Sequence, residues 1–178
     1  MTFKTHSVIR HTVNAGLLTI ALCAPALSQT TELPSEPVSL SGPRFGVTVL
    51  SQGVIDRLKT VDRISVGSPV TQFGWQFEKA FKTQENGLSA LNEWVVLVGG
   101  LEQGLVLPSV SWLVGIRARS GFEFGVGPNL TPVGAAIAFV EGMTFHAGAL
   151  NIPVNLAVVP SKSGVRVSVL TGFNTRRN

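Results

Sequence analysis

The sequence contains no tyrosine, a single cysteine, three histidines and only 13% charged residues. Each scarcity closes a class of function. The cysteine is Cys23, and with His6 and His11 it lies in the first 28 residues, which read as a secretory signal. The remainder holds no thiol, which excludes disulfides and thiolate metal sites although an exported protein would tolerate disulfides. His146 alone remains, which excludes a site built from several histidines. Charge stands at about half the usual share for soluble domains. Beyond the signal the basic and acidic side chains number 12 and 10, too even a balance to argue for nucleic acid. Beyond the signal, too, no apolar run reaches the length a membrane helix needs.

The signal is composed of a basic start (Lys4, Arg10), an apolar stretch from Ala15 to Leu22 and small residues at Ala26-Leu27-Ser28. Cys23 raises the question of a lipidated N-terminus, but Leu22 before it is larger than that kind of signal prefers. Cleavage after Ser28 leaves 150 residues, a usual size for one domain. Residues 29–43 carry Pro34, Pro37 and Pro43 and read as an extended arm. Residues 44–173 form the folded domain, and 174–178 a polar, basic tail.

What the domain does contain is alternation of period two. In 121–129, Phe122, Phe124, Val126 and Pro128 alternate with Gly121, Glu123, Gly125, Gly127 and Asn129. Side chains on a strand point to opposite faces in turn, so the segment has one apolar face and one small or polar face. The pattern returns at 44–51, 70–82, 106–119, 133–147, 150–158 and 165–173. Residues 91–101 are apolar on both faces, and Val95, Val96 and Val98 favour strand there. Between 53 and 65 the period changes: Val54, Leu58, Val61 and Ser65 share a helical stripe, while Asp56, Arg57, Lys59 and Arg63 lie off it. The expectation is all-β: an up-and-down antiparallel meander of eight strands closed into a barrel, with one short amphipathic helix between the first two strands, lying across one mouth. Closure removes both exposed edges.

Alternation alone leaves two arrangements open. A soluble, lipocalin-like barrel turns its apolar set inward around a ligand, whereas a membrane barrel turns it outward to lipid. In the soluble case the second face would meet water and carry many Lys and Glu. Here it is mainly Gly, Ser, Ala, Asn and Thr, with Arg117, Arg119, Glu123 and Arg166 scattered among them. Small side chains with a few opposite charges suit a narrow interior, where Glu123 would pair with an arginine. Against this stand the missing tyrosines, which leave ten Phe and three Trp to form any aromatic girdle, and Leu107, Leu113 and Leu170 on the second face.

The signal, the eight alternating strands and the near-terminal segment 167–173 together resemble the small eight-stranded outer-membrane β-barrels of Gram-negative bacteria. In that family the last strand ends on an aromatic read by the assembly machinery. Phe173 would take that place, followed here by five further residues. The resemblance implies an outer-membrane location and outer-membrane lipid as the partner.

No residue set carries a convincing chemistry, so no catalytic, cofactor-binding or metal site is assigned. Thr144 and His146 share a strand face, and Ser109, Ser111 and Ser168 lie on other strands, so a nucleophile and base for lipid acyl chemistry can be drawn. The simpler account is a strand-end histidine beside the turn at Gly148. Gly99-Gly100 and Gly125-Val126-Gly127 are flanked by strands and lack the helix start of a phosphate loop. Arg117, Arg119 and Arg166 with Glu123 read as an internal ion network. Phe73, Trp75, Phe77 and Phe81 would contact lipid and mark its interface, or line a pocket for a small apolar ligand in the soluble arrangement. The sequence thus points to an exported envelope barrel with a structural, adhesion or maintenance role, with no enzyme activity, no cofactor and no nucleic-acid partner. A soluble apolar-ligand carrier and a lipid-modifying membrane enzyme are the alternatives.

Overall fold

The computed structural model describes residues 39–82 and 87–175. The signal, most of the arm and the last three residues lie outside them. Eight strands run in chain order: β1 (Gly42–Leu50), β2 (Val70–Lys82), β3 (Ser89–Gly99), β4 (Leu107–Arg117), β5 (Phe122–Thr131), β6 (Gly134–Ala147), β7 (Leu150–Ser161) and β8 (Gly164–Gly172). Each pairs antiparallel with its sequence neighbour, and β1 pairs with β8, so the sheet closes on itself. Followed from strand to strand, the register returns to β1 displaced by about ten residues, the stagger that tilts the strands of a barrel. The chain enters β1 and leaves β8 on one rim. Helix α1 (Gln52–Val61) crosses the opposite rim.

The apolar face points out. Phe45, Phe73, Trp75, Phe77, Trp94, Trp112, Ile116, Phe124, Ile137, Phe139, Leu156 and Val169 are all exposed. Alternating with them, Arg44, Thr48, Gln76, Glu78, Glu93, Ser109, Glu123, Asn129 and Arg166 are buried. The small residues of the inner face have a steric task. A Cβ built on Gly74 would stand 1.9 Å from the Val96 carbonyl oxygen, and one on Gly46 2.0 Å from that of Val169. Glycine there lets neighbouring backbones close to a tight curve.

α1 is held by its apolar stripe. Val54 and Leu58 are buried against Val66, Val70, Leu50, Leu105, Leu107 and Val133, while Asp56, Arg57 and Lys59 stay exposed. The helix therefore caps the mouth, as its position between two strands of one rim dictates. It stops before the expected Ser65 because Arg63 takes φ 55°, the left-handed conformation that ends helices.

Several boundaries differ from expectation. β5 passes through Pro128 and stops only at the turn after Thr131. Proline cannot donate to a ladder, and the β4–β5 register accordingly lacks partners between Ser111↔Asn129 and Val114↔Val126. The strand survives because its other partner, β6, pairs along its whole length. Leu101 lies outside β3 because Gly100 adopts φ 82° and starts a short 3-10 turn, Leu101–Gln103. Ser161 and Gly164 belong to β7 and β8, leaving a two-residue turn where a longer loop was expected. Two residues assigned to the tail, Asn174–Thr175, form β9 and pair with Leu150 and Asn151 of β7.

Candidate functional site: the barrel lumen

The lumen is layered. Toward the chain-entry rim lies an ion network centred on Arg117 of β4. Its Nη1 and Nη2 donate to Oε1 and Oε2 of Glu78 at 2.8 and 2.7 Å, and its Nε donates to Oε1 of Glu123 at 2.8 Å. The register explains this in part: Arg117 and Glu123 are directly paired across β4 and β5, as are Glu78 and Glu93 across β2 and β3. Thr144 Oγ1 donates to Glu123 at 2.6 Å. Glu78 also accepts from the Leu40 amide and from Gln76 Nε2. Arg44 donates through Nε to Gln76 and through its terminal nitrogens to the carbonyls of Pro43 and Leu40. The arm at Leu40 is thus stitched to the network.

Glu78, Glu93 and Glu123 each bring a carboxylate oxygen within 4.8 Å of the other two. Such a cluster invites a cation. Arg117 already engages both oxygens of Glu78 and one of Glu123, so a metal would have to displace a guanidinium that makes three charge-assisted bonds. The arrangement is a lock between strands β2, β4, β5 and β6.

Above it, Val95, Leu97, Leu113, Ala138, Val159 and Leu170 form an apolar layer. Leu113 and Leu170, which fitted a lumen poorly on the sequence, belong to this packed interior. Nearer the α1 rim lies a second polar layer. Thr48 Oγ1 donates to Gln72 at 2.6 Å and shares a 2.7 Å bond with Ser168. Asn129 Nδ2 donates to Ser109 and Ser111 at 2.9 and 2.8 Å. Arg166 donates to Thr131 at 3.0 Å and to Asn129 Oδ1 at 2.9 Å. A cavity of about 90 Å³ runs through this region, lined by these side chains, by the apolar layer and by Val54 and Leu58 of α1.

The residues singled out from the sequence divide accordingly. Arg117 and Glu123 meet. Arg166 lies in a different layer from both, and Arg119, beyond the end of β4, lies on the exposed rim with its side chain against Gly87. The drawn nucleophile–base group is not assembled. His146 is exposed near the end of β6, Thr144 is committed to Glu123, Ser109 and Ser111 are tied to Asn129, and Ser168 to Thr48. The sequence does not mark Arg44 or Glu93 as network members: Arg44 is the first residue of the strand expected at 44–51, and Glu93 sits in the segment that shows no clear alternation. The parity that puts Glu78 beside Gln76 was the available signal for Glu78.

Outside, the three tryptophans form no girdle at either rim. Trp75, Trp94 and Trp112 fall at the middles of β2, β3 and β4, and Trp94 stacks on Trp112 with ring centroids 6.1 Å apart. The Trp112 indole N–H is satisfied by Asn92 Oδ1 at 2.9 Å. Three polar strand residues interrupt the apolar exterior at mid-sheet positions: Lys79, Asn92 and Glu141. Glu141 is paired with Phe124 on one side and Leu156 on the other.

On the α1 rim, Glu102 accepts hydrogen bonds from the Thr71 hydroxyl and from the Thr71 amide, the latter at 2.9 Å. These bonds hold its carboxyl well below the usual range, at about 2. Comparison with known proteins matches no family model, no curated protein and no solved structure.

Proposed function

We propose that this chain is a transmembrane β-barrel of a bacterial outer membrane, with a structural or envelope-maintenance role and no catalysis. One observation carries the reading: oily side chains cover the outside of a closed sheet whose inside is charged. Among the described residues, 25 large apolar side chains are exposed, while Arg44, Glu78, Glu93, Glu123 and Arg166 are buried. Soluble monomers rarely expose contiguous apolar patches beyond a few hundred Å². A bilayer reverses that cost, because lipid solvates the belt, and the closed ladder satisfies the backbone groups within it. Strands of 9 to 14 residues meet the ~9–11 that a tilted spanning strand needs.

The lumen argues for structure over transport. A helical cap, an apolar layer and an ion network occupy it in series, which suits a closed barrel better than a pore. The cavity of about 90 Å³ falls short of the ~300–1,000 Å³ of ordinary ligand pockets, which weighs against an apolar-ligand carrier.

The test is behaviour in envelopes and on gels. The protein should stay with membranes through salt and carbonate washes, leave them only in detergent, and migrate differently before and after boiling. Release by osmotic shock, with solubility in plain buffer, would overturn the reading.

A further inference from the structure

The second polar layer of the lumen contains a positive charge without a negative one. Arg166 is 8% exposed, and its three guanidinium nitrogens find only neutral company: Thr131 Oγ1, Asn129 Oδ1, and no acceptor at all for Nε. The other buried arginines differ. Arg117 is bonded to two carboxylates, and Arg44 has Glu78, Glu93 and Glu123 as charged neighbours. Among the described residues no carboxylate lies in ion-pair range of Arg166. An isolated guanidinium beneath an apolar cap is costly unless a counter-charge joins it.

Donors surround it, although the same cavity wall also includes Glu93, outside ion-pair range of Arg166, and the unpartnered Asn155 Oδ1. Ser109 and Ser111 accept from Asn129 Nδ2, and no acceptor among the described residues takes their hydroxyl protons. Gln72 receives Thr48 on its carbonyl oxygen, which leaves its amide N–H groups uncommitted. These groups and Arg166 line the same cavity, closed above by Val54 and Leu58. Its volume of about 90 Å³ accommodates an ion of halide size with a few waters.

We propose that this chamber is a binding site for a small inorganic monoanion of chloride size, held by Arg166 with Ser109, Ser111 and Gln72. The site is independent of where the barrel resides, so its test and the membrane test fail separately. The full barrel is purified in detergent micelles, or in plain buffer should it prove soluble. Chloride is exchanged for gluconate at constant ionic strength while thermal unfolding is followed. Tm should rise by several degrees with chloride in the native protein. Arg166→Gln should show no such rise and should be at least as stable as the native protein in gluconate, because it removes an unneutralised buried charge. Crystals of the native protein grown in bromide should show an anomalous peak beside the Arg166 guanidinium, a readout that needs no variant. Equal chloride responses in the two proteins, or no bromide at Arg166, would overturn the proposal.

Discussion

Arg117 and Glu78 face each other as a parallel pair of hydrogen bonds, 2.8 and 2.7 Å long, between strands that are not neighbours in the sheet. The pair reaches past β3 to tie β2 to β4 on the inner face, and Glu123 of β5 joins it through the guanidinium Nε. A bridge of this kind fixes the local curvature of β2–β5 as well as neutralising charge.

Arg117→Met should therefore be among the most damaging single changes. It strands Glu78, Glu93 and Glu123 together without the guanidinium that engages two of them, at a cost of about 3–5 kcal/mol. The triple change Arg117→Met, Glu78→Met, Glu123→Gln should recover much of the loss. Denaturant unfolding of the detergent-folded barrel measures both, and a triple variant no more stable than the single one would refute the account.

Gly74→Ala places a methyl group 1.9 Å from a backbone oxygen of β3 and should destabilise by about 1–3 kcal/mol. Gly125→Ala is the control. Its nearest neighbour would lie 3.7 Å away, so stability should stay within about 0.5 kcal/mol.

Glu141 projects from the middle of β6 between Phe124 and Leu156. A carboxylate facing lipid at that depth is unfavourable, so Glu141→Leu should raise stability in phospholipid vesicles by about 1 kcal/mol. Lower stability there would mean that this face of β6 meets water or a polar partner.

Leu58→Ala should cost about 2–5 kcal/mol, since Leu58 is buried in the seal between α1 and the rim. The same change should let small ions leak from vesicles that the native barrel keeps tight. Unchanged stability and tightness would show that α1 is not a cap.

The Glu102 carboxyl sits at about 2, below its ordinary value near 4.5, because Thr71 donates two hydrogen bonds to its charged form. The contact is therefore intact above the ordinary value and is lost as pH falls from there through about 2. The Thr71 amide resonance should shift over that window, and Glu102→Gln should abolish the shift.

The architecture was legible because one physical rule repeats in seven of the eight strands. Phe73, Trp75 and Phe77 alternate with Gln72, Gly74 and Gln76, and closure turns that parity into outside and inside. The stop signals were less legible. Pro128 reads as a strand end in isolation, yet pairing with β6 carries β5 through it. The ion network was half visible: Glu123 and Arg117 announce each other by charge on adjacent strands, whereas Glu78 reaches Arg117 past the intervening β3, a contact that pairing of adjacent strands does not encode. Arg166 was grouped with the wrong partners for the same reason, because sequence gives its face but not its height in the barrel.

An even number of strands puts Ser120 and Gly148 in turns on the rim where the chain enters, and Lys162 in a turn on the far rim. Because Cys23 is the sole native thiol and precedes the barrel, a cysteine introduced at Ser120 or at Lys162 would be the only reactive group in the folded part. Two membrane-impermeant labelling reactions on intact cells, one per position, would thus assign the sidedness of every turn and of the helical lid at once.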